Sequence, residues 1–240
     1  MLDFLRNVLD DFLVYFVDIL LRLPAVIIAI AAHGFAGSLV ARCFGDRTSK
    51  AYGRLSINPI KHIDPIGFLC LLLFRFGWAS ATPINTKNFR HPKLATFLSA
   101  LAGPLTNLLL AFLGCFLLVP FAIPSVIEFF NSEPALVWVY GILTSIIERF
   151  CLINTTIALF NLIPLPPLAG FRMLSIVIPK HSYKAVMKGE KYFALGFLIV
   201  LLIDSYFFGY IGMGMTPFVN FILNDVFAKA VNVIFLPIFS

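Results

Sequence analysis

The sequence PAVIIAIAAHGFAGSLVARCF, residues 24–44, decides the fold of this chain. It opens with a proline, holds one histidine, His33, and has no Asp, Glu, Lys or Arg before Arg42. At about 1.5 Å of rise per helical residue, a run of this length crosses the roughly 30 Å hydrocarbon core of a bilayer. The run therefore predicts a transmembrane helix that begins at Pro24.

The composition extends this conclusion to the whole chain. Of its 240 residues, 60% are hydrophobic and 12% are charged, whereas soluble domains average about 45–50% and about 25%. A soluble enzyme, a disulfide scaffold and a disordered chain are excluded. We expect a single membrane domain over residues 1–240, because no hydrophilic stretch is long enough to fold as a second domain. No C-x-x-C spacing relates the four cysteines, which are interpreted as small hydrophobes.

Other apolar runs predict an all-α polytopic protein with four to six membrane segments. Residues 94–121 and 135–162 predict long spans, and 192–211 and 217–239 predict two more. Three stretches are less regular: residues 1–23 predict an interfacial or partly inserted helix, 66–78 a re-entrant or tilted segment, and 54–58 a short strand.

The loops predict an orientation. Most of the 18 Lys and Arg residues fall in three loops, 42–61, 75–93 and 172–191. The loop 122–134 has none and carries Glu128 and Glu133. Cytoplasmic loops are enriched in Lys and Arg, so we expect the basic loops to be cytoplasmic. Because the basic residues are dispersed among apolar spans, the net charge of +6 does not indicate a nucleic-acid partner.

Three motifs place irregular or polar residues at membrane depth. They are FGWASATPIN at 76–85, LAGPLTN at 101–107 and ALFNLIPLPPLAG at 158–170. Non-helical backbone inside a bilayer is tolerated only where it is buried in protein or lines a wet cavity. We therefore expect a site built from these segments near the face that carries the basic loops.

Together with IAAHGFAGSLVARCFGD, residues 30–46, these motifs resemble the site-2 protease family of intramembrane zinc metalloproteases, specifically its short bacterial members without a PDZ domain. GRLSINPIKHIDPIG, residues 53–67, also matches that group. The resemblance covers about residues 24–175 and implies a protease-like core there, with accessory membrane segments over 189–240. It implies a multi-pass protein of the bacterial inner membrane that cuts transmembrane segments, with zinc held near the cytoplasmic face.

The family's site combines H-E-x-x-H on a helix with an Asp that ends the Pro-rich segment, and the zinc they hold activates a water. By the resemblance, His33 matches the first ligand and Gly34 stands at the position of the general-base Glu. Gly37 and Ala169 stand at the positions of the other two ligands. One imidazole does not hold catalytic zinc against water, so we expect neither bound zinc nor hydrolysis in this chain.

Several of these residues have a second interpretation. His33 is either a remaining ligand or a polar residue satisfied within the helix bundle. His62 and Asp64 are either replacement ligands or, as we favour, parts of a structural turn.

The groove residues carry the same ambiguity. By the resemblance, Asn107 and Asn161 face the active-site groove, where they would contact substrate backbone or an oxyanion; otherwise they bond neighbouring helices. The prolines Pro164, Pro166 and Pro167 prevent a regular helix. They would leave carbonyls to pair with an extended substrate strand, unless water or neighbouring helices satisfy those carbonyls.

Two functions follow from these features. The first is a site-2 protease-type scaffold, built for peptide-bond hydrolysis in transmembrane segments but inactivated by loss of the base and two ligands. The second is a natural pseudoprotease that binds transmembrane segments without cleaving them. A channel or transporter is disfavoured because we find no inverted repeat. The expected partners are transmembrane segments and the lipid bilayer, and self-association stays open.

Overall fold

The computed structural model describes residues 2–74, 78–166, 168–203 and 216–231, and these ranges contain helices and loops but no β-strand. The helices in chain order are α1 (Leu2–Cys43), α2 (Thr48–Ala51), α3 (Pro65–Phe74), α4 (Pro92–Leu118), α5 (Pro124–Asn131), α6 (Pro134–Leu162), α7 (Ala169–Leu174), α8 (Lys180–Lys188) and α9 (Glu190–Ile203). A further helical segment, α10, covers residues 216–231 and is π-helical over Phe221–Ala228.

Three described helices are long and apolar enough to cross a membrane. They span Leu9–Cys43, Pro92–Ala122 and Pro134–Leu162. The chain is therefore an all-α polytopic membrane protein, as its sequence predicts. The predicted segments at 192–211 and 217–239 extend beyond the described residues, so their full lengths stay predictions.

Helices α1, α4 and α6 pack against one another and form the core. Ala25 and Ala29 of α1 are buried beside Ile153 and Ile157 of α6. Lipid tails are as apolar as the helices, so helix association in a membrane depends on close packing and not on a hydrophobic drive. Small side chains allow that close packing. Leu71 of α3 is buried in the same cluster, so this short helix is docked on the core.

The chain forms one helix over Leu2–Cys43, whereas the sequence predicted that the span begins at Pro24 and follows an interfacial or partly inserted helix over residues 1–23. One charged residue of this stretch, Asp18, is paired with a residue of another helix. The Asp18 carboxylate contacts the guanidinium groups of Arg22 and Arg149, so it joins α1 to α6. Arg22 Nη1 donates to the Leu72 carbonyl at 3.2 Å near the end of α3. Because the two guanidinium groups neutralise the Asp18 carboxylate, this charge does not interrupt α1.

Other local predictions also need correction. Residues 54–58 form bends and not a short strand, and the Ser56 carbonyl accepts from His62 Nε2 at 2.7 Å. The loop predicted at 122–134 contains α5, and the basic loop predicted at 172–191 contains the end of α7, all of α8 and the start of α9. Proline occupies the first turn of α5, where its fixed φ favours a helix start.

Candidate functional site

The positions that the resemblance assigns to metal ligands meet at one cavity. His33, Gly37 and Ala169 all line it, together with Asn161. Its volume is about 30 Å³, which leaves room for about two water molecules. The remaining lining residues are Ala79, Ser80, Ala81, Thr82, Ile84, Ser99, Ala100, Gly103 and Arg172.

Helix geometry explains this convergence. His33 and Gly37 are four residues apart on α1, so they lie one turn apart on the same face. Ser99 and Gly103 have the same spacing on α4 and contribute the facing wall. Ala169 is the first residue of α7, which begins after the Pro-rich break that follows α6.

A buried chain of polar side chains joins the three core helices beside this cavity. Asn107 Nδ2 donates to the Ala29 carbonyl at 3.1 Å and to Asn154 Oδ1 at 2.9 Å. Its Oδ1 lies 2.7 Å from His33 Nδ1, and an amide oxygen accepts, so that nitrogen carries the proton. Asn154 Nδ2 donates in turn to the Phe150 carbonyl at 2.9 Å. The network links α1, α4 and α6 through hydrogen bonds that are buried or partly buried.

This network fixes the orientation of the His33 ring. With the proton on Nδ1, Nε2 carries the lone pair. A Cβ built on Gly103 would lie 2.4 Å from Nε2, so only glycine leaves space for the ring there. A partner on one ring nitrogen that orients the other is also how metal-binding histidines are held.

The ring of His62 occupies the space beside Gly34. A Cβ at position 34 would lie 2.1 Å from His62 Nδ1 and 2.7 Å from its Cγ. His62 Nε2 donates to the Ser56 carbonyl, and the His62 carbonyl accepts from the Ser80 N–H at 2.8 Å. Burial lowers the pKa of the His62 imidazole, and the cations of Arg54 and Lys61 lower it further against the opposing hydrogen bond to Ser56. Among the described residues, no hydrogen bond joins Asp64 to His62. Asp64 Oδ1 instead accepts hydrogen bonds from the Ile66 and Gly67 N–H groups.

The described residues do not fit a catalytic zinc. Zinc in such a site takes three protein ligands, drawn from His, Cys, Asp and Glu, plus a water. The described lining of the cavity offers one of these, His33, because Gly37 and Ala169 carry no donor atom. Across the described parts of the chain, no group of three His, Cys, Asp or Glu side chains is placed to hold a metal ion.

Asp46 binds the backbone and side chains of the loop that follows the cavity-lining segment 79–84. Its buried carboxylate accepts hydrogen bonds from the Thr48 N–H at 3.0 Å, the Asn85 N–H at 2.7 Å and Asn88 Nδ2 at 2.9 Å. Burial alone would raise the pKa of this carboxyl, but these bonds and one from the Thr48 hydroxyl outweigh it and lower the pKa. The contacts tie the end of α1 to residues 85–88, just after the lining segment 79–84.

The predicted groove residues take different places. Asn161 is buried at the cavity, and its Nδ2 donates to the Ile157 carbonyl at 2.8 Å. Asn107 bonds neighbouring helices, which is the second of its two interpretations, and its contact with a substrate stays a prediction. Pro164 is exposed and Pro166 is buried in the bends after α6, while Pro167 lies outside the described residues.

Arg172, Thr82 and Ser99 are among the cavity residues that were not predicted from the sequence. Arg172 Nη1 donates to the Thr82 carbonyl at 2.7 Å, which joins α7 to the lining segment. The buried Ser99 hydroxyl finds no hydrogen-bond partner among the described residues. For Ser99 a signal existed, since Ser99, Gly103 and Asn107 repeat every four residues on α4. For Thr82 and Arg172 no periodic signal exists, because their positions depend on loops.

His33, Gly37 and Ala169 thus meet at one cavity of a polytopic helical bundle, the arrangement expected of an intramembrane metalloprotease scaffold. The chain is 37% identical over 196 residues to the Bacillus subtilis protein named "Putative zinc metalloprotease YwhC". The aligned residues are 81% of this chain and 85% of that relative. The chain thus belongs to the site-2 protease family of zinc metalloproteases.

More distant relatives carry the same description. A Mycobacterium tuberculosis protein named "Putative zinc metalloprotease Rip2" is 26% identical over 192 residues, which are 76% of this chain and 68% of that relative. Its Mycolicibacterium smegmatis namesake is 24% identical over 182 residues, 74% of this chain and 63% of that relative. No protein-family profile and no solved structure matches the chain.

Proposed function

We propose that this chain is a catalytically inactive member of its family, which retains the scaffold without the peptidase chemistry. One observation carries the proposal: the three ligand positions of the family meet at one cavity, yet His33 alone among them bears a donor atom. Gly34, at the base position, has no carboxylate to accept a proton from water. The chemistry of these side chains therefore supports neither tight zinc binding nor activation of water.

Metal content tests the first half of this proposal. The full chain is purified in detergent, dialysed against a mild chelator, and analysed by inductively coupled plasma mass spectrometry. We expect far less than one zinc per chain, because one imidazole competes poorly with water. Stoichiometric zinc that survives dialysis would overturn the proposal.

Restoration of the missing groups tests the second half. The triple variant Gly34→Glu, Gly37→His and Ala169→Asp returns the base and both ligands. Because the His62 ring fills the space beside position 34, the triple variant is compared with one that also carries His62→Ala. We expect at least one to retain zinc and cleave a model transmembrane segment. If both fold, as judged by helical content and a monodisperse elution profile, and neither binds zinc, the scaffold part of the proposal fails.

A second candidate function is capture of transmembrane segments without cleavage. The observation that favours it is the broken backbone after α6, where exposed Pro164 and Leu165 adjoin the buried Asn161. The Ile163 and Leu165 carbonyls accept from the Leu165 and Leu168 N–H groups, so an extended segment would pair with the remaining carbonyls of the break, beside prolines that have no N–H. The site would lie near the cytoplasmic face, on the side of the basic loops.

Binding is tested with a synthetic transmembrane peptide in the same nanodisc as the chain. A photo-crosslinker placed at Leu165 should label the peptide, and Asn161→Ala should reduce the yield several-fold. Leu109→Ala is the control, because Leu109 is exposed on α4. Equal yields from the two variants, or no crosslink from the unmodified groove, would count against capture.

A further inference from the structure

A pair of thiols lies between α4 and α6, outside the cavity already described. Cys115 Sγ and Cys151 Sγ are 4.0 Å apart. Both line a second cavity of about 420 Å³, whose other described walls come from α4, α6, α10 and residues 119–122. Glu148 and Asn224 are its polar residues, and the remainder of the described lining is aliphatic.

The helices approach closely at this point. A Cβ on Gly114 would lie 2.6 Å from Cys151 Sγ, so glycine is what allows α4 to pack against the thiol. A disulfide joins sulfurs about 2.0 Å apart, and it forms only where two backbones already lie close together. The two sulfurs already lie 4.0 Å apart where α4 and α6 pack together, so about 2 Å of further approach forms the bond.

The two thiols differ in accessibility. Cys115 is half-buried and Cys151 is buried. An accessible thiol beside a protected one is the arrangement in which the first reacts with an oxidant and the second resolves the product. Of the other cysteines, Cys43 is exposed at the end of α1 and Cys70 is buried in α3.

We propose that Cys115 and Cys151 form a redox modification site that takes low-molecular-weight disulfides as its oxidant and closes to a disulfide between α4 and α6. This proposal is independent of whether the chain binds zinc or transmembrane segments. The bond would tie together the two helices that also carry Asn107 and Asn154.

The reaction is a pair of thiol–disulfide exchanges. The Cys115 thiolate attacks one sulfur of the small disulfide, whose S–S bond breaks and releases one thiolate. Cys151 then loses its proton and attacks the Cys115 sulfur of this mixed disulfide, which releases the second thiolate. Two protein thiols are oxidised by two electrons, the small disulfide is reduced to two thiols, and both protons leave on them.

The test uses the full chain in detergent, reduced and then exposed to dipyridyl disulfide, an apolar reagent of this class. The Cys43→Ser background removes the exposed thiol. We expect loss of two alkylatable thiols after denaturation, with a linked peptide that joins residues 115 and 151, and full recovery after dithiothreitol. Oxidised chain should also have the higher Tm.

Single variants separate the steps. Cys151→Ser should retain a thiopyridyl adduct on Cys115, and Cys115→Ser should show neither adduct nor linked peptide. An adduct that persists on Cys115 while Cys151 is present would overturn the proposal, as would a full complement of free thiols after exposure. Gel filtration and helical content establish that each variant is folded, so a negative result stands.

Discussion

Gly34, at the position that the resemblance assigns to the family's base, packs against a residue of the neighbouring loop, His62. The His62 ring fills the space beside Gly34. His62 Nε2 donates to the Ser56 carbonyl, and the His62 carbonyl accepts from the Ser80 N–H. A methyl group at this point has no room unless the ring shifts. Position 34 is therefore a packing position as well as a chemical one.

We predict that Gly34→Ala destabilises the chain by about 1–3 kcal/mol, the usual cost of overpacking. Gly141→Ala is the matched control, because a Cβ there meets nothing within 4 Å. Alanine exceeds glycine in helix propensity, so the control should be neutral or more stable by up to about 1 kcal/mol. Thermal unfolding in detergent measures both, and equal Tm values would show that His62 is not held in place.

At this scale the sequence predicts part of the site. The spacing of four residues predicts that His33 and Gly37 lie on one helix face. Only the resemblance, which assigns Ala169 to the third ligand position, predicts that Ala169 lies beside them. The contact of His62 with Gly34 could not be predicted, because the path of the loop between them depends on bends at 54–58 that no periodic pattern encodes.

At the scale of elements, Asp46 joins the end of α1 to residues 85–88, which follow the segment that lines the cavity. Its bonds reach Thr48, Asn85 and Asn88, and the carboxylate has no exposed surface. In Asp46→Asn one oxygen becomes an NH₂ group and meets N–H donors. We expect a loss of about 2 kcal/mol at neutral pH, in the range for hydrogen bonds to a charged group.

The same variant has a predictable pH dependence. Because the hydrogen bonds lower the folded pKa of Asp46, its contribution is complete above the unfolded value and declines as pH falls through the folded value. The Tm difference between wild type and Asp46→Asn should therefore be full at pH 7 and shrink below about pH 4. Asp225→Asn, in an exposed pair with Lys229, should change Tm little at either pH. A difference that persists unchanged at low pH would contradict this explanation.

The elements themselves were predicted unevenly. The bounds of α4 and α6 lie within a few residues of the predicted spans. An apolar run of that length is typical of a membrane-spanning helix, so its ends mark the ends of the helix. The predicted helix start at Pro24 was wrong, because the chain is already helical before it, where Asp18 is paired with Arg22 and with Arg149, 131 residues away in the chain. Sequence spacing does not report such distant pairs.

At the scale of the whole molecule, the basic loops predict that α1 and α6 end on the cytoplasmic side. Cys43 is exposed at the end of α1, and Ser132 is exposed between α5 and α6. In intact cells that express Ser132→Cys in a Cys43→Ser background, a membrane-impermeant maleimide should label the chain before lysis. In wild type, Cys43 should be labelled only after lysis. The reverse pattern would invert the orientation, and the site would then face the outside.

The buried amide network also has a consequence for the order of assembly during synthesis. Asn107 can satisfy His33 and the Ala29 carbonyl as soon as α1 and α4 have met. Asn154 emerges from the ribosome 47 residues later. The pair of helices α1 and α4 can thus form in the bilayer with two of the three Asn107 hydrogen bonds made. Helix α6 then packs against this pair, and Asn154 completes the third bond.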